Sequence, residues 1–206
     1  MTARRYRKDA VMMTPLVCKI IWFAGIVCWV IIRYPFHRKA KRNSVVLSRY
    51  GRRERGILGF AGLCLYVIPG VYALTGFPGS LDRLFIPAIG WLGLLVLCGG
   101  LWLFFQSHAD LGKNWSISLE IRERHALVQT GIYRFIRHPM YASFFLLALA
   151  QFLLLPNWVA GVAGLIGVSV LYAFRVRNEE RLMRETFGSD YVHYMTKTKR
   201  LIPWIF

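Results

Sequence analysis

Hydrophobic and polar positions are sorted along this chain into long blocks. Five apolar runs stand out, at residues 16–32, 57–76, 84–105, 140–155 and 158–174. Their lengths approach the ~20 residues that an α-helix needs to cross a bilayer, and the polar residues collect between them. The pattern therefore predicts five membrane helices. Lys19, near the start of the first run, can snorkel to the interface. Pro69 predicts a kink in the second run, and Gly99-Gly100 predicts close helix packing in the third. Pro156-Asn157 leaves so little chain between the last two runs that they must form a tight antiparallel hairpin. A heavily basic segment follows residues 16–32 where a signal peptide would carry a small-residue cleavage site, so this run reads as a retained span.

Composition agrees with the pattern. The chain is 56% hydrophobic with a mean hydropathy of +0.41, yet its net charge is +17. Apolar runs separated by basic loops are the signature of an α-helical membrane protein. That placement makes the bilayer, and not a nucleic acid, the partner of the charge. Basic residues are spread unevenly: 21 Lys/Arg fall on the side holding residues 33–55, 106–138 and the C-terminal segment, against 5 on the other. The positive-inside rule puts the first side in the cytoplasm. Cys18, Cys28, Cys64 and Cys98 all lie within apolar runs and show no CxxC spacing, so neither a metal site nor a disulfide framework is indicated. No Walker A or GxGxxG element follows a predicted strand.

Candidate chemistry concentrates in His125–Tyr141, HALVQTGIYRFIRHPMY, where two histidines, two arginines and two tyrosines fall just before an apolar run. Pro139 suits the first turn of a helix, so Arg137-His138-Pro139 reads as a membrane-helix entrance whose backbone N–H groups and dipole attract an anionic group. His138 could equally be a helix cap, and Tyr133 and Tyr141 could be interfacial belt residues. The 140–174 hairpin should bring this entrance close to Arg175–Glu180. Arg175 and Glu179, spaced i, i+4, share a helix face, with Glu180 turned by about 100°. They are either an interfacial ion pair or functional groups facing the bundle. Phe187-Gly188, Tyr191 and Tyr194 read as a helix end followed by an amphipathic segment without chemistry. The residues describe a pocket with acidic, basic and aromatic groups, suited to a zwitterionic cofactor with an aromatic base.

The segments LGKNWS (111–116), HALVQTGIYRFIRHPMY (125–141), RVRNEERL (175–182), FGSDYVHY (187–194) and KRLIP (199–203) together resemble the isoprenylcysteine carboxyl methyltransferase family and, more distantly, the phospholipid N-methyltransferases. The likeness covers roughly residues 106–206. It implies an integral membrane enzyme that uses S-adenosylmethionine without a Rossmann fold. It assigns cofactor contacts to His125, Ala126, Leu127, Val128 and Tyr133, to His138, Pro139, Met140 and Tyr141, and to Glu179. It makes Arg175 a substrate residue. Glu180 is the available group should a nucleophile need deprotonation.

The expectation is thus an all-α integral membrane protein of about five transmembrane helices. A cytoplasm-facing cofactor pocket would be formed by residues 106–141 and the C-terminal segment. Residues 1–105 would be an N-terminal membrane region, and residues 106–206 the methyltransferase-like catalytic region. Arg175 and Glu180 are the catalytic candidates. The expected partners are the lipid bilayer and a lipophilic small-molecule or lipidated acceptor, with no metal and no nucleic acid. The alternatives are a sterol-reductase-like NADPH enzyme and a non-catalytic lipid-binding membrane protein.

Overall fold

The computed structural model describes residues 13–40, 45–48, 51–112, 120–122 and 127–205. Its body is a bundle of apolar helices. The first is α1 (Pro15–Ala40). The second crossing is built from three continuous pieces: α2 (Arg52–Gly62), a π-helical turn at Leu63–Val67 and α3 (Ile68–Thr75). Then come α4 (Pro87–Leu111), α5 (Pro139–Leu154) and α6 (Trp158–Lys197). Four of these crossings, at 15–38, 52–75, 87–111 and 158–197, are long and apolar enough to span a membrane. The chain is an integral membrane protein.

The fifth apolar helix, α5, has only 16 residues, about 24 Å at the usual helical rise, short of a hydrocarbon core of ~30 Å. Its limits are written in the sequence. Pro139 stands at the first helical positions, and Pro156-Asn157 ends the run. Carbonyls at the short end still need donors. Arg83 reaches in from the preceding loop, donating from Nη2 to the carbonyls of Phe152 and Leu155, the latter at 2.9 Å. Asn157 then caps α6, its Oδ1 accepting from Ala160 N–H at 3.0 Å. Its Nδ2 donates to Pro78 O and to Asp82 Oδ1 at 2.8 and 2.9 Å. The expected hairpin is present, locked at its turn by these contacts.

Three details refine what the sequence suggests. Pro69, where a kink is expected, interrupts the regular helix without ending the second crossing. It lacks the N–H that Leu65 O would accept, and its ring crowds that carbonyl; the wide turn at Leu63–Val67 takes up the mismatch and the crossing continues. Only one residue of the Gly99-Gly100 pair serves packing. A Cβ on Gly100 would sit 3.1 Å from Leu147 of α5, whereas one on Gly99 would meet nothing within 4 Å. Outside the helical body, Val45–Ser48 (β1) and Glu120–Arg122 (β2) form a short antiparallel ribbon, with Ser48 opposite Glu120. The Val45-Val46-Leu47 run favours the pleated conformation.

At its far end α6 carries helical structure well past the apolar run. Its 40 residues amount to about 60 Å, so the portion after Phe174 projects beyond the membrane. The expected helix end at Phe187-Gly188 is a kink at Gly188 (φ 52°), after which the helix resumes to Lys197. Tyr191 and Tyr194 on that last piece are buried.

Candidate active site

The polar end of the bundle is assembled from four elements. His138 stands at the N-terminal boundary of α5, but its side chain makes no cap hydrogen bond. It turns instead toward α6, with Nε2 3.3 Å from Glu180 Oε1 and Nδ1 3.7 Å from Glu179 Oε2. One turn into α5, Tyr141 donates to Glu179 Oε1 at 2.7 Å. The i, i+4 pair expected on α6 is made: Arg175 Nη2 lies 3.3 Å from Glu179 Oε1. The same Nη2 lies 3.3 Å from Glu54 Oε1, on the first turn of α2.

Glu180 belongs to a second, deeper cluster. Its side chain is 3% exposed and is held by Arg137 Nε at 3.3 Å, by His138, and by Arg200 through Nε at 3.1 Å and Nη2 at 2.7 Å. That hydrogen bond from Arg200 holds the Arg200 guanidinium pKa above its ordinary value. The C-terminal tail is drawn into place by backbone pairing: Arg137 N–H donates to Lys199 O at 2.8 Å and His138 N–H to Arg200 O at 2.9 Å. Arg137 Nη1 also donates to Met195 O at 3.2 Å and to Thr198 O. The RHP entrance and the KRLIP tail are therefore one structural unit.

Tyr133 sits beside this unit on a short 3₁₀ turn, Gly131–Arg134. Its hydroxyl donates to Ser107 O at 3.3 Å, and its carbonyl accepts from Tyr194 at 2.5 Å. Burial raises the Tyr133 pKa well above its ordinary value, so the hydroxyl stays protonated. The turn is fixed by Asp110 of α4, whose Oδ2 accepts from Ile132 N–H at 2.7 Å and whose Oδ1 accepts from Gln106 at 2.9 Å. Gly131 (φ +60°) is required there, because a Cβ would lie 2.2 Å from Asp110 Oδ2. Pro139 is buried, Met140 is half-buried, and Leu127 and Val128 are half-buried in coil. His125 and Ala126 lie outside the described residues.

Below Tyr141, toward the membrane centre, an apolar crevice of about 40 Å³ runs between α1, the π turn, α4 and α5. Trp29, Tyr66, Phe144 and Leu147 are among its walls. Phe144 joins it to the polar cluster, with its ring 6.4 Å from that of Tyr141. The crevice as it stands has room for a few atoms at most.

Comparison with known proteins points to one family. The family model described as the isoprenylcysteine carboxyl methyltransferase family matches residues 91–185, from within α4 to past Glu180. That part of the chain is similar to the isoprenylcysteine carboxyl methyltransferase family. Protein-S-isoprenylcysteine O-methyltransferase B of Arabidopsis thaliana is 26% identical over 69% of this chain and 72% of its own length. The Schizosaccharomyces pombe protein-S-isoprenylcysteine O-methyltransferase is 30% identical over 63% of this chain and 56% of its own. The human one is 28% identical over 61% and 47%. The chain thus matches about half the length of the latter two. A solved structure of the eukaryotic intramembrane Ras methyltransferase, isoprenylcysteine carboxyl methyltransferase, superposes with a TM-score of 0.55 over 95% of this chain and 70% of that one. At 18% identity, this shows a shared membrane fold. A family of methyltransferases implies a methyl donor.

Sequence reasoning passed over four residues of the cluster: Glu54, Asp110, Arg137 and Arg200. Glu54 had a signal, being the single acid among nine basic residues at 33–55. Arg137 and Arg200 lie within motifs already singled out, RHP and KRLIP. Asp110 had none, because nothing in the sequence links it to Gly131.

Proposed function

We propose that this chain is a membrane methyltransferase that moves a methyl group from S-adenosylmethionine to the carboxylate of a lipophilic, isoprenylcysteine-like acceptor at the cytoplasmic face. The observation that carries the reading is the convergence of Arg175, Glu179, Tyr141 and His138 at the mouth of the α5–α6 hairpin. The cofactor fits the chemistry of these groups. Glu179 is 23% exposed, and its carboxylate is available to an ammonium. The entrance of α5, with His138, suits a carboxylate. Leu127, Val128, Tyr133, Pro139 and Met140, with His125 and Ala126, are the remaining contacts that the family resemblance implies. When bound, the sulfonium supplies an electrophilic methyl group.

The rest is done by this chain's own side chains. Arg175 holds and orients the acceptor carboxylate, which is already an anion and needs no base. Both oxygens of Glu180 face cations, so we assign it the anchoring of Arg137, His138 and Arg200. The catalytic role falls to Arg175. Residues 106–206 bring most of the chemistry, and residues 1–105 bring membrane spans. The excess of basic residues on the site's side supports a cytoplasmic orientation, and a bilayer-tethered acceptor suits a site that opens above an apolar crevice.

The test is transfer of labelled methyl from S-adenosylmethionine to an S-prenylated N-acylcysteine in lipid-containing micelles. Label released as methanol by mild base marks a carboxyl ester. Arg175→Ala should abolish turnover while cofactor affinity stays within about threefold. Loss of cofactor binding in that variant, or label resistant to base, would contradict the reading.

A further inference from the structure

Esterification on this site requires Arg175 to receive a carboxylate, yet its guanidinium already holds two. Nη2 of Arg175 lies 3.3 Å from Glu179 Oε1 and 3.3 Å from Glu54 Oε1. Glu179 is a neighbour on the same helix, whereas Glu54 comes from another part of the chain. In the segment that opens α2, Arg52, Arg53 and Arg55 are exposed, and Glu54 alone is buried, at 7% exposure. A guanidinium as enclosed as that of Arg175, 11% exposed, needs a resident counter-charge when no acceptor is bound. Glu54 supplies one. A further carboxylate arriving beside it would crowd three anions around a single guanidinium, which their mutual repulsion opposes.

On the reading proposed above, we infer that Glu54 keeps the acceptor's place on Arg175: the acceptor carboxylate exchanges with Glu54, and α2 is the latch that yields. The exchange is balanced in charge, with one carboxylate leaving the guanidinium as another arrives, and no proton moves. Glu54 does not go uncompensated. It stays among Arg52, Arg53 and Arg55, and at the positive end of the α2 dipole.

The consequence is an affinity threshold for any acceptor. A tethered carboxylate competes at an effective concentration of about a millimolar or more, so a small soluble carboxylate loses to Glu54. An acceptor with a membrane-embedded tail is concentrated in the bilayer and adds the burial of its tail, so it wins. The affinity threshold that an acceptor's tail must overcome thus rests in part on a residue of α2, outside the family-matched residues 91–185.

Glu54→Gln keeps the size of the side chain and removes its charge. The quantities to measure are the KM for an S-prenylated N-acylcysteine, the inhibition constant of its neutral methyl ester, and cofactor affinity. The expected result is an acceptor KM lowered roughly three- to tenfold, with the ester and cofactor constants changed by less than about twofold. A soluble, short-chain N-acyl-S-alkylcysteine should gain at least as much. An acceptor KM that is unchanged or raised, or lost cofactor binding, overturns the latch alone, because Glu54 would then be holding Arg175 in place. A wild-type enzyme that esterifies no prenylated cysteine overturns the reading of the function, and the latch with it.

Discussion

Glu180→Gln preserves the shape of α6 and removes one negative charge from beside three basic side chains. Arg137, 8% exposed, and His138, 9% exposed, are largely enclosed, while Arg200, 36% exposed, can turn outward. Removing one partner from a buried ion pair costs about 3–5 kcal/mol. The glutamine oxygen still accepts one hydrogen bond and Arg200 relaxes, so the lower figure applies, about 3 kcal/mol. For a chain of this size that is a fall in Tm of roughly 6–12 °C. Thermal unfolding in micelles, followed by tryptophan fluorescence, measures it. Arg137→Met combined with Glu180→Leu should recover most of the loss, since an apolar pair of similar volume replaces the ions. Stability within about 1 kcal/mol of wild type, with turnover abolished and cofactor affinity intact, would refute the anchoring role and make Glu180 a base.

Two further substitutions test the parts that position the site. Gly131→Ala forces a left-handed conformation and a clash with an Asp110 side chain already held on both oxygens; a loss of about 2–4 kcal/mol is expected in the same unfolding assay. Asn157→Ala removes the cap of α6 and two hydrogen bonds to the 78–82 loop, which should cost about 2–3 kcal/mol and leave cofactor affinity unchanged, the site lying at the other end of the hairpin.

The membrane architecture was legible because bilayer thickness imposes run lengths and Pro139 and Pro156-Asn157 mark helix limits. The meeting of the α5 entrance with Arg175–Glu180 was legible too, since so short a turn leaves two adjacent helices no alternative. Other features depend on pairings that no local pattern encodes. The β1–β2 ribbon joins segments more than 70 residues apart. Glu54 reads in sequence as a stray acid in a basic loop, and only the packing of α2 against α6 makes it a partner of Arg175. The tail was underestimated for a similar reason. Tyr191, Tyr194 and Arg200 look interfacial by composition, but the pairing of residues 137–138 with 199–200 buries the two tyrosines and brings Arg200 to Glu180.

Binding of S-adenosylmethionine to the purified protein in lipid-containing micelles, measured by calorimetry beside Glu179→Gln, tests the central claim most directly. Losing a charge-assisted contact to the cofactor's ammonium should weaken binding by roughly ten- to hundredfold without lowering the unfolding temperature by more than a few degrees. No binding by the intact protein, or equal binding by the variant, would contradict the account.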